Sequence, residues 1–198
     1  MEKKSFMAPS LSPTPSAPFP DAGEIRLLVS GGPLWVLVHE RMAREILEGR
    51  PVILLCADNG LDTDLLVRKA REAGHSPESL LSCLYVSRAF TVHQLLATVT
   101  GRLEREREKS GSDLVVLSGI LPLFSDAAIP SGESLRLLGA LLDSFKNLAR
   151  KGLRILLPVP LPIAPGRRAK SVLSPVLHAA SLVETALRTP AGFLPVRI

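Results

Sequence analysis

Short apolar runs closed at both ends by turn residues decide most of what this chain can fold into. Leu114-Val-Val-Leu117 follows Gly111-Ser-Asp113 and runs out into Ser118-Gly119. Val52 to Ala57 is closed by Asp58-Asn-Gly60, and Arg154 to Val159 follows Lys151-Gly152. Runs this short, with no polar alternation, suit strands buried on both faces, as in a parallel sheet between helices. Glu24 to Val29 and Leu84 to Ser87 read as two further strands.

The segments between these runs carry helical spacing. In Leu34 to Glu48, Trp35, Val38, Met42 and Ile46 recur on one face, with Leu34 and Leu37 widening it. Asp62 or Thr63 caps a helix running to about Ala73, and Pro77 to Leu81 reads as a short helical turn. Thr91 caps a long helix whose end, Arg102 to Lys109, alternates in charge and is solvated. Ser131 or Gly132 opens another, in which Leu135, Leu138, Leu142, Phe145 and Leu148 face the core. Pro158 to Lys170 holds too many prolines for regular structure and reads as a loop. Ser181 to Leu187 and Phe193 to Ile198 read as a hairpin around Thr189-Pro-Ala-Gly192. Strand and helix alternate, which predicts an α/β fold: three layers, a mostly parallel sheet and a C-terminal antiparallel hairpin.

The 198 residues suit one folded domain, residues 23–198, preceded by a Pro- and Ser-rich disordered tail over residues 1–22. No apolar run approaches the ~20 residues of a membrane span. Met1-Glu-Lys-Lys4 is followed by Pro-rich sequence and not by an apolar signal core. The two cysteines, Cys56 and Cys83, lack metal-ligand spacing, and Cys56 lies inside an apolar run as a core residue. A soluble protein of a reducing, cytoplasmic compartment is expected, with no membrane contact. Charge is uneven: residues 1–143 hold 15 Lys and Arg against 18 Asp and Glu, whereas residues 144–198 hold 9 against 1. The basic C-terminal part points either to an anionic partner or to a solvated basic face.

One family lines up with these pieces in order. Leu84-Tyr-Val-Ser-Arg-Ala-Phe-Thr-Val-His-Gln-Leu-Leu96 resembles the strand and helix start of RadA-type recombinases. Gly23-Glu-Ile-Arg26, Val52 to Gly60 and His178-Ala-Ala-Ser181 are similar, more loosely, to that family's first strand, second strand and approach to the C-terminal strands. The resemblance covers roughly residues 23–198 and implies the ATPase core shared by RecA, RadA and KaiC-type proteins.

The motifs of that core are altered here. A phosphate loop needs Gly-x-x-x-x-Gly-Lys-Ser/Thr, so that backbone N–H groups wrap the phosphates, a lysine neutralises them and a hydroxyl binds Mg²⁺. In the matching window, Ser30-Gly31-Gly32-Pro33-Leu34-Trp35-Val36-Leu37, Ser30 and Trp35 replace the glycines, Val36 the lysine and Leu37 the hydroxyl. The family's catalytic glutamate falls on Asn59 and its Mg²⁺-linked aspartate on Ser118. The resemblance therefore implies a degenerate paralogue with no catalytic residue, no bound cofactor, no metal and no ATP hydrolysis, in which Trp35 fills the former phosphate space.

The loop that faces single-stranded DNA in the family corresponds to the stretch holding Arg167, Arg168 and Lys170, which are either a nucleic-acid contact or solvated. Phe19-Pro-Asp-Ala22 fits the family's Phe-x-x-Ala docking pattern, or matches it by chance. His39, His75, His93 and His178 lack partners at ligand spacing. Asp58, Asp62 and Asp64 suit turn and capping roles. Three functions stay open: an accessory protein of DNA recombination or repair that binds a recombinase-type partner and single-stranded DNA, a protein-interaction regulator with no DNA role, and a weak, unconventional ATPase.

Overall fold

The computed structural model describes residues 19–163, 167–189 and 192–197, with side chains up to residue 186. The fold is α/β. Six parallel strands stand in the order β3-β2-β4-β5-β1-β6. They are β1 (Ile25–Ser30), β2 (Val52–Cys56), β3 (Leu84–Arg88), β4 (Leu114–Ser118), β5 (Arg154–Pro160) and β6 (Leu182–Thr189). A last strand, β7 (Gly192–Arg197), runs antiparallel beside β6, with Glu184 opposite Arg197. Residues 190 and 191, the turn that would join the two, lie outside the described residues, and the expected hairpin is not established.

Burial on both faces follows the strand period of two. Ile25 and Leu27, Ile53 and Leu55, Val115 and Leu117, and Ile155 and Leu157 point into one core. Leu28, Leu54, Val116 and Leu156 point into the other. The second core is covered by α1 (Leu34–Leu47), α2 (Thr63–Glu72) and α3 (Pro77–Ser82). The first is covered by α4 (Val92–Gly101), α5 (Leu103–Ser110), α6 (Ile120–Phe124), α7 (Ser131–Arg150) and α8 (Arg167–Ala179).

Several expectations need correction. The long helix from Thr91 is two helices, because Arg102 leaves helical geometry at φ −125°. Leu135 is exposed; the α7 stripe passes instead through Leu138, Leu141, Leu142, Phe145 and Leu148. The Pro158–Lys170 loop is shorter than expected. Parallel pairing with β1 carries β5 to Pro160, because the residues that bond β1 alternate from Ile155 to Leu161 and leave Pro158 and Pro160 facing the β4 side, where pairing stops at Leu156; α8 begins at Arg167. Pro175 then sits inside α8, a helix that a proline-based reading overlooks. The expected disordered tail lies outside the described residues except for residues 19–22, where Phe19 is buried in the core shared with α1. Its ring is occupied within its own chain, which removes it as an exposed docking side chain.

Two local features tie the ends of the sheet. At its amino end, Glu45 of α1 accepts from Arg50 (2.7 and 2.9 Å) and from Arg154 of β5 (2.9 Å), and Arg154 also reaches Asp113 (2.6 Å). Burial pushes the Glu45 carboxyl up, but the hydrogen bonds and charges of Arg50 and Arg154 outweigh it and hold it below its usual value near 4.5. At the carboxyl end, Gly119 takes φ +77°, and a Cβ there would lie 2.7 Å from the Ala57 carbonyl carbon. Only glycine meets both demands.

A carboxyl whose folded value is depressed adds stability above its unfolded value, and that stability is lost as pH falls through the folded value. Urea melts should therefore show Glu45→Gln less stable than wild type at neutral pH. The two should converge in acid, with a flatter acid limb for the variant. Gly119→Ala should cost about 2 kcal/mol or more, from left-handed backbone strain and main-chain overlap together. Thermal and urea denaturation of the purified variant measure this.

Candidate functional site

In an open parallel sheet, ligands bind beyond the carboxyl ends of strands whose connections leave toward opposite faces. Here β1 leads into α1 on one face, and its neighbour β5 leads toward α8 on the other. The crevice between them is bordered by Ser30-Gly31-Gly32 and by Leu161. The ends of β2 and β4 bring Asp58, Asn59 and Ser118 to the same edge.

Along this edge the polar groups bond to one another. The Ser30 hydroxyl donates to the Ala186 carbonyl (3.1 Å) and accepts from the Gly32 N–H (3.1 Å). The Leu161 N–H donates to the Ser30 carbonyl at 2.7 Å, a further rung of the β1–β5 ladder that keeps the start of the β5–α8 connection beside the end of β1. Residues 30–37 contain no charged side chain. Leu37 is buried and Val36 exposed at 38%. The sequence-predicted positions Ser30, Gly31, Gly32, Trp35, Val36 and Leu37 are thus gathered at one strand-to-helix turn, without a cation or a free hydroxyl among them.

Trp35 is half-buried and not enclosed. Its indole lies against Gly60, where an added Cβ would meet Cε2 and Cζ2 at 2.8 and 2.9 Å. The ring of His39 stands edge-on to it, with centroids 6.2 Å apart. His39 itself is buried. Its Nε2 accepts from the Asp62 N–H (3.0 Å), which leaves Nδ1 to donate to the Trp35 carbonyl (2.6 Å). This histidine bridges α1 to the β2–α2 connection, a role its isolated position in the sequence did not signal.

Asp58 is the further residue that sequence reasoning undervalued. Its Oδ1 accepts from the Gly60 N–H (3.0 Å), the expected turn, and also from the Ser118 hydroxyl (2.7 Å). The Cys56 thiol donates to the Asp58 carbonyl at 2.8 Å. At the end of β4, where the resemblance leads one to expect an acid, Ser118 thus meets an acid from the end of β2. Two residues 60 positions apart in the chain make this contact, and no local pattern announces it. Asn59 is exposed. Asp62 caps α2 by accepting from the Leu65 N–H (2.9 Å), and Asp64 stands exposed in its first turn. Among the described residues, no group of three His, Cys, Asp or Glu side chains could hold a metal ion.

The three C-terminal cations are in the first turn of α8 and not on a loop. Arg168 donates to the Ile129 carbonyl and is half-buried, so it fastens α8 to the approach to α7. Arg167 and Lys170 are exposed, and no acidic residue shares that turn. Cations there oppose the helix dipole, which favours negative charge at this end. His93 approaches Glu133 at 3.6 Å across the exposed starts of α4 and α7. A solvent-open recess of roughly 530 Å³ lies at the other, amino end of the sheet, between Gly23, Lys146, Arg150 and Ser181. Its lining holds no acid or histidine, and the Ser181 hydroxyl in it accepts from the Ile25 N–H (3.2 Å).

No protein-family model matches the chain, and no curated protein matches it. Among the described residues, no helix is long and apolar enough to cross a membrane.

Because the indole is only partly covered, Trp35→Ala should cost less than the ~3–5 kcal/mol of a fully buried ring, roughly 1–3 kcal/mol. Indole emission of the wild type should lie between buried and exposed values. Guanidinium melts and emission spectra of the folded protein check both.

Proposed function

We propose that this chain is a non-catalytic RecA/RadA-like paralogue. It serves as an accessory or regulatory protein in DNA recombination or repair and binds a recombinase-type partner. The observation that carries the reading is the turn from Ser30 to Leu37. It stands at the crevice where a parallel α/β domain of this order binds a ligand, yet its contacts are made by the protein itself. The Ser30 hydroxyl takes the Gly32 N–H, Trp35 rests on Gly60, and residues 30–37 carry no cation. The sheet order supports the same reading, since it keeps β1 beside β5 with helices leaving to opposite faces. The resemblance of residues 84–96 to RadA-type recombinases supplies the family, with its three-layer core and C-terminal antiparallel strands.

Nucleic-acid contact belongs to this proposal through Arg167 and Lys170. Both are exposed in a helix turn where stability alone favours acids. Arg168 leaves the contact set, because its guanidinium is engaged with Ile129. A protein-interaction regulator with no DNA role is the second reading. The edge strand β3 favours it, with Tyr85 and Val86 exposed and Phe90 exposed at 73% just beyond its end.

The wild type should show no ATP turnover above background with Mg²⁺, with or without DNA. Its melting temperature should not move when ATP and Mg²⁺ are added, since a ligand that binds only the folded state must raise it. Phosphate-release assays and differential scanning fluorimetry check the two. Turnover that co-purifies with the protein and disappears in Asp58→Asn would instead support the weak-ATPase reading.

A further inference from the structure

We propose that the outer face of α7 and α8 binds the phosphate backbone of duplex nucleic acid without regard to base sequence. This rests on the nucleic-acid branch of the function proposed above. It widens that branch from two side chains to a helical surface.

Charge is concentrated on two helices of one face, since α4 and α5, which cover the same core, span residues 92–110 with four Lys and Arg against three Glu. Residues 131–179, which contain α7, β5 and α8, hold eight Lys and Arg against two acids, Glu133 and Asp143. Residues 34–82, which supply the helices of the opposite face, hold six against eight. On the basic side, Arg136, Lys146 and Arg150 are exposed along α7, and Arg167 and Lys170 are exposed on α8. Arg136, Arg167 and Lys170 have no carboxylate partner among the described residues. Lys146 is 3.7 Å from Asp143, and Arg150 donates to Asn147 at 2.6 Å.

The cations are carried on rods. A helix of 20 residues such as α7 is about 30 Å long. Its exposed cations run from the second turn to the last. The Arg168 contact to Ile129 holds the start of α8 beside the start of α7. A rigid row of cations suits the fixed rows of phosphates on a duplex.

Two absences from the exposed side chains of this face narrow the partner. Phe145, the only Phe, Tyr or Trp in residues 131–179, is fully buried, and the one exposed ring on these helices, His178, is in the last turn of α8, away from Arg167 and Lys170, so no row of rings is offered for the base stacking that single-strand binders use. The large exposed hydrophobics on these helices are Leu135 and Leu177, too few for the apolar centre of a protein interface. A polyanion read through its backbone fits what remains. Its phosphates would also relieve the conflict between the α8 dipole and the cations of its first turn.

The test is fluorescence anisotropy at low salt, using a labelled duplex and a labelled single strand of equal length, each in two unrelated sequences. The wild type should bind both duplexes alike and more tightly than either single strand. The combined variant Arg136→Ala, Lys146→Ala, Arg150→Ala should bind more weakly. Its slope of log K against log salt should be flatter by about 0.9 for each phosphate contact removed. All three positions are exposed, and a circular-dichroism melt checks that the variant is folded. Absence of duplex binding, an unchanged affinity in the variant, or displacement of duplex by poly-glutamate as effective as by unlabelled duplex would each overturn the proposal. Binding of single strand alone, lost in Arg167→Ala with Lys170→Ala, would overturn it while leaving the proposed function in place. Binding of neither strand would remove the nucleic-acid branch as well.

Discussion

A buried carboxylate fixes the arrangement around which the rest is built. Glu184 lies within β6 and is 1% exposed. Arg41 of α1 donates to both of its oxygens, and Arg26 of β1 stands 3.6 Å away. Arg26, fully buried, also donates to Glu24 at 2.8 and 2.9 Å. Three elements thus share one cluster of charge. Each charge would be intolerable in this interior without the others, and removing one member of such a cluster commonly costs about 3–5 kcal/mol. The cluster gives little net stability over a well-packed apolar alternative, but it dictates position: α1 must lie where Arg41 meets Glu184.

The remaining polar contacts of α1 follow from that placement. Near its end, Glu45 meets Arg154 and Arg50 at the amino edge of the sheet. Near its start, His39 joins the Trp35 carbonyl to the Asp62 N–H. Between these points, Leu34, Leu37, Val38, Met42, Ala43 and Ile46 fill the core against Leu28, Leu54 and Leu156. A helix anchored along its whole length by its own chain is held in place without help from a ligand at its first turn, and this supports the proposed function.

The same economy of contacts shapes the carboxyl edge. Gly119 lets the end of β4 approach the backbone of Ala57, and that approach brings the Ser118 hydroxyl to Asp58. Cys56, Asp58, Gly60, Trp35 and His39 are then linked in sequence by one thiol contact, one carboxylate, one packed ring and one imidazole. The exposed cations of α7 and α8 stand outside these contacts, which leaves them available to a partner.

By itself the sequence determined the sheet and most of its helices. Unbroken apolar runs such as Val52–Cys56 and Leu114–Leu117 can be satisfied only by cover on both faces, and the caps Asp62 and Thr91 act through contacts three residues away. It also determined that residues 30–37 carry no lysine and no acid, since composition needs no fold to be read. Tertiary structure alone decided what depends on distance across the chain. The pairing of Ser118 with Asp58, of Glu184 with Arg41 and of Arg168 with Ile129 joins residues far apart in sequence, and local periodicity holds no information about such pairs. It also decided that Leu135 faces water, because the neighbours of α7 select which of two adjoining apolar stripes is covered. Finally, it turned a proline-rich loop into a strand end and a helix start, because the register with β1 turns Pro158 and Pro160 toward the side of β5 where pairing with β4 has ended, so no ladder donor is lost to β1.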